Sequence, residues 1–172
     1  MAKPFDLPLL SIRTTPTKSE NEQLVYLTHE YMANYNTDAK NTRGYRNNNP
    51  LNIRHNKNFM WQGEMVADND GFCRFRSTTY GLRAAFCIIR SYNIRHRIYT
   101  VADIITRFAP PSENHTDKYI AFICSRTGFT PETEIRYNDQ KAKSLIQAMA
   151  FYESKMVFSL DFLNEAYKYI YR

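Results

Sequence analysis

Glu153 interrupts an apolar ridge. Asn138-Asp139 opens a helix expected over 139–154, and Ala142, Leu145, Ile146 and Met149 form its stripe. One more turn along that face the residue is a glutamate, with Phe151 and Tyr152 beside it. Desolvation at the end of such a ridge disfavours the charged carboxylate and raises its pKa. The negative end of the helix dipole pushes the same way. A carboxylic acid still protonated near neutral pH can donate a proton to a glycosidic oxygen. The plainer alternative is a helix end that frays into solvent, with Glu153 simply emerging.

A second stretch with chemical content is Arg43–Arg54, RGYRNNNPLNIR. Its asparagines tolerate turns and left-handed backbone, and Pro50 fixes φ and removes a donor. The stretch reads as an ordered loop rich in amide donors and acceptors. Such a loop suits a ligand dense in hydroxyls and amides, such as a glycan. It can equally be a self-satisfied turn, with Asn49 and Asn52 pinning the loop instead of binding sugar. Asp68 and Asp70 lie in an Asp-Asn-Asp-Gly turn, where aspartate is usually a turn former. Trp61 can stack on a sugar ring or plug the core. His29-Glu30 is not a zinc-protease pair, because position 33 is Ala.

Stepping along the chain, residues 1–18 carry three prolines and are expected to form an extended N-terminal arm. The remainder, 19–172, is expected to be a single domain. A capping box at Ser19–Glu22 precedes a helix over about 20–35. A β-hairpin is expected over about 60–76, with Asp68 and Asp70 at its tip. Ser77 and Thr100 cap two further helices, with Leu82, Phe86 and Ile89 inward on the first and Val101, Ile104, Ile105 and Phe108 on the second. Pro110-Pro111 ends the latter. Tyr119, Ile120, Ile123 and Cys124 face inward on the next helix, which Gly128 closes, and Ser159 opens the last, with Phe162, Leu163, Ala166 and Ile170 on its buried face. The sum is an α+β, predominantly α-helical domain of about six helices with one small β-hairpin.

With 172 residues and 43% hydrophobic content, the chain can bury a real core. A net charge of +6 favours anionic partners. Cys73, Cys87 and Cys124 lack metal-ligand spacing, so neither a zinc site nor a disulfide framework is expected, and no metal or cofactor is implied. No apolar run is long enough to span a membrane, and the Met1 segment lacks the basic start of a secretory signal. The reading is a protein made in the cytoplasm and delivered outward by lysis, a virion or a secretion system.

The run Arg46–Arg54 resembles the opening signature of a family of short phage and prophage proteins, described as virion-associated or lysozyme-like cell-wall proteins. The similarity continues through Trp61-Gln62-Gly63, Asp70-Gly71-Phe72, Tyr80–Ala84, Thr100-Val101 and Ala109-Pro110-Pro111-Ser112-Glu113-Asn114 to Tyr119. It covers about residues 43–155. The family's last helix usually ends in His-Glu-Asn-Gly, and here the run is Phe151-Tyr152-Glu153-Ser154. The Glu is kept and its neighbours are not. Glu-Ser at a helix end also resembles the glutamate motif of lytic transglycosylases and goose-type lysozymes. In those enzymes the glutamate helix precedes the Asn-rich stretch, so a circularly permuted lysozyme-like fold would reconcile the orders. The family also has Gly where this chain has Leu51.

The resemblance implies a peptidoglycan glycosidase, muramidase or lytic transglycosylase, that cuts the β-1,4 bond between N-acetylmuramic acid and N-acetylglucosamine. Glu153 would be its general acid. A hydrolase needs a second carboxylate, for which Asp70, Asp68 and Glu113 are the candidates. Asn49, Asn52, Trp61 and Tyr119 are the candidate substrate contacts. The implied partners are glycan strands, then a phage particle, a secretion apparatus or a neutralising immunity protein. Two alternatives compete. One is a non-catalytic glycan-binding or virion structural protein on the same fold; the other is a basic nucleic-acid-binding module, for which no motif is present.

Overall fold

A computed structural model describes residues 38–112 and 115–171. The N-terminal arm, the helix expected over 20–35 and Glu113 lie outside the described residues. Those described belong to one compact unit. It is predominantly helical. In chain order come α1 (Arg43–Arg46), α2 (Thr78–His96), α3 (Val101–Phe108), α4 (Thr116–Thr127), α5 (Gln140–Ser154), α6 (Leu160–Lys168) and a 3-10 turn at Tyr169–Tyr171.

The caps follow the sequence signals except at Ser77, which sits at the N-cap position of α2 but makes no capping bond with its side chain. Thr100, Asp139 and Ser159 each accept a hydrogen bond from the first turn of the helix they open. Gly128 closes α4 with a φ of 73°, the left-handed conformation glycine adopts freely. The apolar stripes also face inward as their spacing requires. Leu82, Phe86 and Ile89 of α2, Ile104 and Ile105 of α3, Ile123 of α4, and Leu145, Ile146 and Met149 of α5 form one continuous core with Leu51 and Phe75. Helix α5 packs against α2, α4, α6 and α1, so the glutamate-bearing helix is the shared wall of the bundle. Phe162 departs from its expected place: it lies at the surface and stacks on Phe158, while Leu163 and Ala166 carry the buried face of α6.

Two other expectations need correction. The Asn-rich stretch is not loop throughout. Its first four residues form the single turn α1, because Thr42 caps them by accepting from Tyr45 N–H. The hairpin expected over 60–76 does not form extended strands. Antiparallel pairing there is reduced to isolated bridges, Arg54 with Phe72 and Glu64 with Phe75. The two arms still exchange backbone hydrogen bonds, Met65 N–H to Arg74 O, Arg76 N–H to Gly63 O and Asp68 N–H to Phe72 O, and side chains hold other backbone groups beside them. Asp68 Oδ1 accepts from the N–H of both Asp70 and Phe72, and Glu64 Oε2 accepts from Trp61 N–H.

Each asparagine of the loop has its own partner. Asn47 Nδ2 donates to Asp68 at 2.6 Å, and Asn48 Nδ2 donates to Phe75 O at 3.0 Å. Asn49 is completely buried; its amide donates to Ile53 O and Cys73 O, and its carbonyl accepts from Ile53 N–H, all at 2.9 Å. Asn48 and Asn52 hold φ values of 51° and 48°, and Leu51, between the two turns, is core with an ordinary negative φ. Gly81 of α2 lets the loop lie flush on the helix: a Cβ there would fall 2.1 Å from Asn48 O.

Asn49→Ala is expected to destabilise the chain by about 3 kcal/mol, since Ile53 N–H and Cys73 O lose their partner and Ile53 O keeps only Cys73 N–H. For a chain of this length that lowers Tm by roughly 6–10 °C, measurable by thermal denaturation.

Candidate active site

The C-terminal turn of α5 would leave carbonyls unpaired. The Asn-rich loop supplies their donors. Asn52 Nδ2 donates to Glu153 O at 3.2 Å, and the single Thr42 hydroxyl proton is shared between Ala39 O at 2.7 Å and Ser154 O at 3.1 Å. Gly44 of α1 comes so close to Ser154 that a Cβ would fall 1.8 Å from its Oγ. Lys155 then turns the chain out of α5 with a φ of 56°. These contacts set Glu153 beside Asn52, across 101 residues of sequence.

The Glu153 side chain is half-buried. The same Asn52 amide reaches its Oε2 at 3.3 Å. Burial raises its pKa above the ordinary value of 4.5, and Asn52, Tyr119 and the Lys155 charge offset part of that rise by favouring the carboxylate. Tyr119 is 2% exposed and stacks on Tyr152 with ring centroids 3.9 Å apart. Desolvation, reinforced by the negative charge of Glu153, holds its phenol well above the usual range, so it stays a neutral donor. Its hydroxyl faces Glu153 without meeting full hydrogen-bond geometry. Among the described residues, Tyr119 Oη and Asn52 Oδ1 are buried with no protein partner. The cluster is therefore a half-buried carboxyl with a raised pKa, beside a buried amide oxygen and a buried phenol that the described residues leave without a partner.

The other expected site residues fall elsewhere. Asn49 pins the loop, with every polar atom of its side chain engaged, and has none to offer a ligand. Asp70 is exposed and bonded to Arg43 Nη2 at 2.6 Å. Asp68 is consumed by the turn: desolvation raises its pKa, but the N–H groups of Phe72 and Asp70, the Asn47 amide and Arg43 together hold it below the ordinary carboxylate value. Neither aspartate has a hydrogen bond to the Glu153 cluster. Trp61 packs edge-on against Phe59, with centroids 4.8 Å apart, and lines a separate groove of about 660 Å³. Glu153, Asn52 and Tyr119 are not part of that groove.

Sequence reasoning missed a second buried carboxyl. The Glu64 side chain is fully enclosed and binds His55 Nδ1 at 2.7 Å, while its other oxygen takes Trp61 N–H at 2.8 Å. Burial raises its pKa, yet His55, the Trp61 N–H and the Cys73 thiol outweigh burial and hold it below the ordinary value. The Cys73 thiol is pushed far up by burial and by this carboxylate, which makes it inert. A lone Glu among aromatic and apolar neighbours was the available signal. Among the described residues no cluster of His, Cys, Asp and Glu can hold a metal ion, and no helix is long and apolar enough to cross a membrane.

No family model matches the chain. Protein P5 of Pseudoalteromonas phage PM2 is 37% identical to it over 110 residues, which are 62% of this chain and 68% of that protein.

The raised pKa has a thermodynamic sign. Below the unfolded value of 4.5 the carboxyl is neutral in both states and the fold bears no penalty. As pH rises through the folded pKa, ionising a half-buried group counts against the fold. Glu153→Gln, which can still accept from Asn52, is therefore expected to have a higher Tm than the parent at pH 8. The gap should close as pH falls to roughly 4. Paired melting curves across that window check it.

Proposed function

The chain belongs to the family of Protein P5 of Pseudoalteromonas phage PM2, and we propose that within this phage-related family it is a peptidoglycan-cleaving glycosidase on a lysozyme-like domain. The observation that carries the reading is the Glu153 carboxyl, half-buried, raised in pKa and held by Asn52 opposite the buried Tyr119 hydroxyl. The substrate is the β-1,4 bond between N-acetylmuramic acid and N-acetylglucosamine. The protonated Glu153 donates to the glycosidic oxygen as the C1–O bond breaks. The carboxylate left behind is met by donors already in place, the Asn52 amide and the Tyr119 hydroxyl, which favour the charged form as it develops.

Of the candidate second carboxylates, Asp68 and Asp70 are both committed to the turn and to Arg43, and Glu113 lies outside the described residues. Hydrolysis through Glu113 is the alternative; with the two aspartates spent, the reading is the single-glutamate route of a lytic transglycosylase. In that route the Glu153 carboxylate takes the proton of the muramic acid 6-hydroxyl as its oxygen attacks C1. The product is the 1,6-anhydro sugar, and the glutamic acid is regenerated. Asn52 Oδ1 and Tyr119 Oη supply the open polar contacts for the sugar's own groups. The site of action is the bacterial wall, reached by lysis, a virion or a secretion system.

Digestion of purified sacculi followed by mass spectrometry of the released muropeptides tests the proposal. Anhydro products are expected; reducing ends would move the assignment to a hydrolase. Firm co-sedimentation with wall and no release would leave a glycan-binding protein and sink the enzyme reading. Glu153→Gln is expected to lose about 10²–10⁴-fold of the rate, the usual worth of a general acid. The parent rate should fall as pH rises through the elevated pKa of Glu153. A rate still climbing well above neutrality would assign the proton to another group.

A further inference from the structure

Away from Glu153 the wall of the site is aromatic, and it ends in two cations. Tyr119, Phe122 and Arg126 recur at helical spacing and share one face of α4. That face meets the last turns of α5. Tyr119 stacks on Tyr152, while Phe122 tilts over Tyr152 at 5.1 Å and runs parallel to Phe151 at 6.1 Å. The Arg126 guanidinium carbon stands 3.9 Å from the centre of the Phe151 ring. Lys155, where the chain leaves α5, holds its ammonium 5.3 Å from the same ring. The ladder begins at Tyr119, which faces the acid, and ends at a positive pair.

Neither cation is spent. Both are exposed. Among the described residues neither forms an ion pair, and neither side chain donates a hydrogen bond. Each ends a helix, where the dipole favours a cation, but that role needs no aromatic seat. Stacking engages the face of a guanidinium and leaves its fork of N–H donors free in the plane. Arg126 is thereby held in place without giving up a donor. Lys155 sits at a φ of 56°, so a lysine occupies a backbone position that favours glycine. A fork and a point charge on one ring suit a carboxylate.

The spacing says which carboxylate. Seven residues of α4 separate Tyr119 from Arg126, about 10 Å of helix. Three extended units of chain cover about the same length. In peptidoglycan the lactyl group of muramic acid and the first two residues of its peptide lead from the sugar to the first free carboxylate. The half-buried rings of Phe122, Phe151 and Tyr152 line the path between. We propose that Arg126 and Lys155 form a subsite for the acidic stem peptide, so that the chain prefers glycan still carrying its peptides. Arg126 takes the carboxylate through its fork, and Lys155 supplies the second charge. The subsite assumes that peptidoglycan is the polymer at Glu153, as proposed above.

Sacculi are compared intact and after an amidase has stripped the peptides from the lactyl groups. Co-sedimentation of the Glu153→Gln chain reads binding without cleavage, and products released by the parent chain read the reaction. Retention on intact sacculi is expected to be at least about tenfold stronger, the worth of a hydrogen-bonded charge. Arg126→Gln, made in the same background, should cut that retention about tenfold, and Lys155→Gln should cut it less. Lys141→Gln removes the same charge at the exposed start of α5 and should change it by less than about twofold. Equal retention on intact and stripped sacculi overturns the subsite; products still released from both would leave the glycosidase reading standing. A preference for intact sacculi that Arg126→Gln removes, with no product from either, keeps the stem-peptide site and sinks the enzyme. Equal losses for Arg126→Gln and Lys141→Gln overturn the subsite in favour of general charge attraction.

Discussion

The carbonyls at the end of α5 must find donors, and the way they find them organises the site. A helix of this length ends with several acceptors unpaired. Here the Asn52 amide and the Thr42 hydroxyl reach back from the Asn-rich loop to Glu153 O and Ser154 O. The approach is close enough that only glycine fits at position 44, against the Ser154 side chain. Because the cap comes from a distant loop and not from solvent, the last turn of α5 is held instead of fraying. The Glu153 side chain is thereby fixed in partial burial, which is the condition for its altered chemistry.

Two carboxyls in this protein show how burial and donors compete. Glu64 is the more enclosed, yet its pKa is lowered, because His55, a backbone N–H and a thiol all donate to it. Glu153 retains some access to solvent, yet its pKa is raised, because one long amide contact and a phenol do not repay the desolvation. The environments push the two groups apart, one carboxyl below and the other above its ordinary pKa.

Much of the helical frame was readable. The caps at Thr100, Asp139 and Ser159 and the stripes of α2, α3, α4 and α5 follow from local chemistry, and the structure keeps them. The position of Glu153 at the end of the α5 ridge was readable for the same reason, since helical period decides it. The region between 54 and 76 was not. Its turn signal suggested a hairpin, and a few backbone bonds across it remain, but Asp68 and Glu64 spend their oxygens on backbone N–H groups, and such side-chain bonding leaves no periodic trace. The fates of Asn49 and Asn52 were equally hidden. Both are loop asparagines three residues apart, and which one is sealed in the core and which one meets Glu153 depends on contacts 24 and 101 residues away.

Asparagine at position 52 satisfies requirements that no other residue meets together. The backbone there sits at a φ of 48°, which disfavours a branched or bulky side chain. Glycine would take that conformation at lower cost, but it would strip the donor from Glu153 O and leave the α5 terminus short of a cap. Aspartate would accept the conformation too, but a carboxylate has no N–H to give; it would face Glu153 as a like charge and drive its pKa further up. Asparagine supplies the turn, the cap and a donor to the carboxyl in one side chain, and it leaves its carbonyl oxygen buried and unspent. A buried acceptor without a protein partner is a standing cost.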